Sequence, residues 1–174
     1  MLFNSLEFLL FFPIVAIVLF LIPKRMQWLW LLVSSYYFYM SWNPKYALLI
    51  LVSTIITFVT SWYIGNYKST RLKKRLVFIS FVSNLSILFF FKYVNFTSDL
   101  IGELVTTFGM DINIPRLDYL LPVGISFYTF QALSYTVDVY RGDIKPTNHF
   151  GKYALFVSFF PQLVAGPIER TTNL

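Results

Sequence analysis

Six apolar stretches, most of them near the length that crosses a bilayer, alternate along this chain with short connections that hold most of its charge. They fall at residues 3–22, 28–42, 46–64, 76–94, 118–139 and 150–168. Few folds suit such a pattern. Backbone in hydrocarbon must satisfy every N–H and C=O internally, so only helices and closed barrels span. Apolar runs of ~20 residues, rather than alternating runs of ~10, select helices. The expected fold class is all-α: a polytopic helical membrane protein with about five to six hydrophobic segments, forming a single incomplete transmembrane domain over residues 1–174.

Composition agrees. The chain is 57% apolar and only 13% charged, against about 25% charged for a soluble domain. Twenty Phe and 12 Tyr suit lipid contact and interfacial belts. The absence of cysteine excludes disulfides, thiolate metal ligands and a thiol nucleophile. The net charge of +6 is gathered beside the apolar runs, which is how membrane proteins set their topology. No nucleic-acid partner is expected; the bilayer is.

The charges also orient the chain. Connections one, three and five carry Lys24 with Arg25, the run "KSTRLKKR" at 68–75, and Arg141 with Lys145. The fourth carries Asp99, Glu103 and Asp111 against Arg116. The positive-inside rule then places odd connections in the cytoplasm and the N-terminus outside. A short surface helix closed by Gly109 is expected in the fourth connection, after the apolar run ends near 94.

The fifth stretch is apolar yet holds Ser126, Thr129, Gln131, Ser134, Thr136 and Asp138. At ~100° per residue, Gln131, Ser134 and Asp138 lie within about 60° of one another. Ser126, Thr129 and Thr136 form a second arc. An unpaired polar group in hydrocarbon costs several kcal/mol, so both stripes are expected to face helices or a wet cavity. Gln131, Ser134 and Asp138 are the candidate cavity-lining residues. Interhelical hydrogen bonding and pairing of Asp138 with Arg141 are the alternatives. The sixth stretch, "YALFVSFFPQLVAGPIER", is interrupted by Pro161 and by Gly166-Pro167, predicting a broken or re-entrant segment that needs neighbours.

"LLPVGISFYTFQALSYTVDVYRG", "FVSFFPQLVAGPIER" and the opening "MLFNSLEFLLFFPIVAIVLFLIPKRMQWLWLLVSSYYFYMSWNPKYALLIL" together resemble the N-terminal half of bacterial membrane-bound O-acyltransferases of the alginate O-acetyltransferase branch. Teichoic-acid D-alanyltransferases form a sister branch. The resemblance implies part of a larger helical funnel fold in the bacterial inner membrane. It also implies transfer of an acyl group from a cytoplasmic donor, acetyl-CoA or an acyl carrier, to hydroxyls of an extracytoplasmic polysaccharide. An extracytoplasmic acyltransferase is the implied partner.

The family's central histidine belongs to a later apolar helix. The one histidine here, His149, lies in the loop "GDIKPTNHF" and matches no family catalytic position. A sugar hydroxyl needs a positioned base near its operating pH, a role histidine suits. No catalytic residue is therefore assigned, and the chain by itself is expected to be inactive. No nucleophile elbow or phosphate-binding Gly-rich loop is present. Asp111, Asp118, Asp138 and Asp143 lack metal-ligand spacing, so no metal or bound cofactor is expected. The alternative function is a non-enzymatic membrane scaffold that binds a partner through its polar faces.

Overall fold

The computed structural model describes residues 5–107 and 124–165. They form α1 (Leu6–Leu21), α2 (Lys24–Met40), α3 (Pro44–Asn66), α4 (Thr70–Thr107), α5 (Ile125–Arg141), α6 (Phe150–Ser158) and α7 (Phe160–Ala165). Among the described residues there is no strand. The expected surface-helix closure at Gly109, the residues Asp111, Arg116 and Asp118, and the Gly166-Pro167 break lie outside the described residues.

Helix starts follow local chemistry. Ser5 caps α1, its Oγ accepting from Phe8 N at 3.2 Å. Asn43 caps α3 by accepting from Lys45 N at 3.0 Å, with Pro44 as the first helical residue, where its missing N–H costs nothing. At the end of α5, Gly142 takes φ 85, the left-handed position that glycine adopts without a Cβ penalty. Gly142 N and Asp143 N both donate to Asp138 O, at 3.1 and 3.0 Å.

Two bounds differ from the sequence expectation. The basic residues Lys24 and Arg25 lie inside α2, and most of the 68–75 run lies inside α4, rather than in loops. More importantly, α4 does not stop near residue 94 but continues to Thr107, 38 residues in all. A rise in polarity does not end a helix; a proline or a left-handed glycine does, and 76–101 contains neither. Thr97 keeps its hydroxyl within the helix by donating to Tyr93 O at 2.9 Å.

Side-chain contacts fix how the helices run. Trp30 Nε1 and Gln27 Nε2 of α2 donate to Val15 O and Leu19 O of α1, at 3.1 and 3.0 Å, so these two helices are antiparallel. Trp62 Nε1 at the end of α3 donates to Asn148 Oδ1 at 3.2 Å. Gly65 lies so close to Pro146 that any Cβ there would collide with the proline ring. Trp28 meets His149 edge to face, ring centroids 4.7 Å apart. Connections one, three and five thus gather at one end of the bundle. With them come Lys24, Arg25, the 68–75 run, Arg141, Lys145 and Lys152: most of the chain's 14 lysines and arginines.

The bundle's outside is greasy. Phe20 is 87% exposed, Leu6 78% and Phe78 68%, an extent of bare apolar surface that suits lipid, not water. Pro44–Asn66 and Thr70–Tyr93 are long and apolar enough to cross a membrane, and Leu6–Leu21 is a shorter apolar helix. The interior, by contrast, mixes aromatic rings (Phe38, Tyr128, Tyr135, Tyr153, Phe160) with buried hydroxyls and amides.

Candidate functional site

The polar interior begins on α3. Ser53, Thr57, Thr60 and Ser61 recur at three- to four-residue spacing, so they share one face, and all are buried. Small side chains let backbones approach closely in a membrane, and α4 and α5 pack on this face. The hydroxyls do not remain idle. Thr57 and Thr60 donate back to Ser53 O and Ile56 O, both at 2.8 Å. Tyr153 of α6 donates across the bundle to Thr57 Oγ1 at 2.8 Å.

Asn84 of α4 links two helices. Its Oδ1 accepts from Ser53 Oγ, and its Nδ2 donates to Ser80 O at 2.8 Å. Thr136 of α5 sends its single proton to Ala132 O at 3.2 Å. Its oxygen is left to accept from Ser61 Oγ at 3.2 Å and from Ser80 Oγ at 3.4 Å. A hydroxyl has one donor and two lone pairs, so Thr136 is fully used.

The broken segment is held from two sides. Pro161 has no N–H, and its ring would meet the carbonyl four residues back in a continuous helix. The chain answers by leaving helical geometry at Phe159, which takes ψ 107. That break orphans Phe156 O and Phe160 N, which an unbroken helix would have paired. Gln131 Nε2 of α5 donates to Phe156 O at 2.9 Å, and Ser35 Oγ of α2 accepts from Phe160 N at 3.4 Å. Both side chains are buried. Irregular backbone at membrane depth is tolerated when protein buries it and satisfies it, and here Phe156 O and Phe160 N each have a side-chain partner.

The three candidate residues separate in the structure. Gln131 is buried and bonded to α6, with a longer contact to Gln162 Oε1 at 3.4 Å. Ser134 and Asp138 are half-buried. Asp138 also supplies the carbonyl that closes the end of α5. Sequence reasoning missed Ser35, the α3 hydroxyl face and the linking role of Asn84. The α3 face was readable as a stripe of small polar residues at helical period. Ser35 carried no such signal, because its use depends on where α6 breaks.

The hydroxyls of Tyr36, Tyr39 and Tyr128 are buried with no hydrogen-bond partner among the described residues. Tyr128 and Tyr36 lie within electrostatic reach of Tyr39. Phenol hydroxyls normally find a partner when buried, so this trio is the one unsatisfied polar cluster of the described interior. His149 plays a structural part, its Nδ1 accepting from Lys152 N at 3.3 Å and so capping α6. Among the described residues no group of three or more His, Cys, Asp or Glu has the arrangement of a metal site.

Comparison with known proteins decides the relationship. The chain is 40% identical over 176 residues to the probable alginate O-acetylase AlgI of Pseudomonas aeruginosa, a match covering 100% of this chain and 34% of that protein. It is 38% identical over 176 residues to the Azotobacter vinelandii protein of the same name, covering 100% and 35%. The chain belongs to the membrane-bound O-acyltransferase family. A peptidoglycan O-acetyltransferase of Helicobacter pylori is 32% identical over 180 residues, covering 88% of this chain and 32% of that protein. The chain spans about a third of the length of the curated relatives it matches. No family model and no solved structure matches it. Its apolar exterior, its two helices long enough to span and these relatives make the chain a membrane protein.

Proposed function

We propose that this chain is a scaffold-forming stretch of a membrane O-acetyltransferase that moves acyl groups from a cytoplasmic donor to hydroxyls of an extracytoplasmic polysaccharide, by alginate-type O-acetylation. The observation that carries the proposal is the whole-chain similarity to alginate O-acetylases. Acetyl-CoA or an acyl carrier is the proposed donor, and an extracytoplasmic acyltransferase the proposed partner.

On this reading the helices are five to six spans (~20 residues each) forming one wall of a funnel in the inner membrane. The N-terminus lies outside and the basic end faces the cytoplasm. Gathering of connections one, three and five at one basic end supports that orientation. The buried hydroxyls and amides bind the wall together, and α6–α7 is a discontinuous segment within it. No described residue is positioned as a general base: His149 is a cap at the basic end, and Gln131 has no basic site to take a proton. The chain by itself is thus inactive, and the base that accepts the sugar proton comes from another part of the acyltransferase.

The test is a chimera. The matching stretch of the Pseudomonas aeruginosa relative is replaced by this chain, and acetyl transfer to polysaccharide is measured in membranes. Activity in the chimera, and none from the 174 residues expressed alone, is expected. Transfer by the chain alone would overturn the assignment of the base. Orientation is read separately with single cysteines, since the chain has none. Lys68→Cys should react with an impermeant maleimide only in opened cells, and Lys45→Cys in intact ones.

A further inference from the structure

At the basic end, α2 and α6 run side by side in the same direction. Trp28 meets His149 near their starts, and Ser35, further along α2, meets Phe160 just past the end of α6. A cleft of about 580 Å³ opens between those starts. Its mouth carries Lys24, Arg25, Lys152 and His149, and its walls carry Trp28, Leu31 and Leu155. Among the described residues no carboxylate lines it, and none of the three cations is paired with one.

The lining is graded. On α2, Lys24, Trp28 and Leu31 follow one helical face inward, charge first and leucine last. On α6, Lys152 and Leu155 repeat the order one turn apart. Gly151 permits the arrangement, because a Cβ there would collide with the Trp28 ring. His149 adds a donor. Its Nδ1 is occupied as an acceptor, so the neutral ring carries its proton on Nε2. Three cations with no carboxylate partner among the described residues, an N–H donor and an indole above an apolar floor match a phosphodiester with hydrocarbon attached. They do not match a free metal ion or a neutral sugar.

We propose that this cleft binds the phosphate headgroup of an anionic membrane phospholipid, with Lys24, Arg25 and Lys152 as its charge partners and Leu31 and Leu155 against the first part of an acyl chain. The apolar floor favours a lipid over a free phosphate, which has no use for leucines. The site is independent of the transfer chemistry proposed above, and its failure would leave that reading untouched.

Native mass spectrometry of the detergent-purified protein tests it, with phosphatidylglycerol and phosphatidylcholine as titrated probes. Each cation near a charged headgroup is worth roughly fivefold in affinity. Discounted for exposure, the triple variant Lys24→Gln, Arg25→Gln, Lys152→Gln should lose at least about tenfold in phosphatidylglycerol retention. A matched triple outside the cleft, Lys68→Gln, Arg71→Gln, Lys74→Gln, should lose less than about twofold, and Lys152→Arg should retain binding. Melting temperature checks that every variant is folded. Equal losses in both triples, or no preference for phosphatidylglycerol over phosphatidylcholine, would overturn the site. Displacement of the lipid by millimolar inorganic phosphate would assign the cleft to a soluble phosphate and sink the lipid proposal.

Discussion

Replacing Gln131 with leucine removes the donor that caps Phe156 O while keeping most of the side-chain volume. Two scales bear on the cost. A buried group left without its partner costs about 1–3 kcal/mol in water-soluble proteins. Interhelical hydrogen bonds in membranes average nearer ~0.6, with a maximum of about 1.7 kcal/mol, because separated helices find other partners. Here the second scale sets only the floor. Phe156 O is freed by the break at Phe159, and the Pro161 ring, which blocks the turn around the Val157 carbonyl, favours that break in a separated helix as well. A loss of about 1–2 kcal/mol is expected. Pro161→Ala gives the decisive control. It restores an N–H and removes the ring clash, so Phe159 can return to helical geometry and Phe160 N can reach Phe156 O. Gln131→Leu should then cost less than about 0.5 kcal/mol, a coupling of about 1 kcal/mol between residues that make no bond to each other. The four proteins are compared by unfolding in mixed detergent micelles. Additivity within about 0.3 kcal/mol would refute the idea that Gln131 serves the helix break.

Other substitutions probe the same interior. Tyr153→Phe should cost about 0.6–1.7 kcal/mol in that unfolding assay, and Thr57→Ala should remove most of that penalty, because the two hydroxyls bond each other. Gly142→Ala should cost about 1–2 kcal/mol through backbone strain alone, since a Cβ there meets nothing within 4 Å; Gly142→Asn should recover part of it. Tyr39→Phe should leave stability within about 0.5 kcal/mol of the parent, or raise it, since the hydroxyl it deletes has no partner among the described residues. A loss above about 1.5 kcal/mol would show that the Tyr39 hydroxyl is bonded after all.

Much of this is legible in the residue order. Apolar length and the scarcity of charge dictate helices in lipid, and the grouped lysines and arginines mark one end. Motif-length resemblance points to the family that the relatives bear out. Pro161 announces a break, and the cost of polar groups in hydrocarbon announces that Thr129, Gln131 and Thr136 turn inward, where all three are buried. The length of α4 is not legible in the same way, because polarity does not stop a helix and only backbone chemistry does.

Pairing is what residue order leaves open. A glutamine in mid-helix must find an acceptor, and sequence states that need from the energetics of an amide in hydrocarbon. It does not state that the acceptor is Phe156 O, 25 residues away. Ser35 and Phe160 N stand 125 residues apart, and Lys24 and Lys152 share a cleft only because α2 and α6 pack in parallel. Local periodicity and transfer energy set which side chains turn inward, residue by residue. Which carbonyl, hydroxyl or cation each one meets depends on helix order and register, and those exist only once the whole bundle has packed.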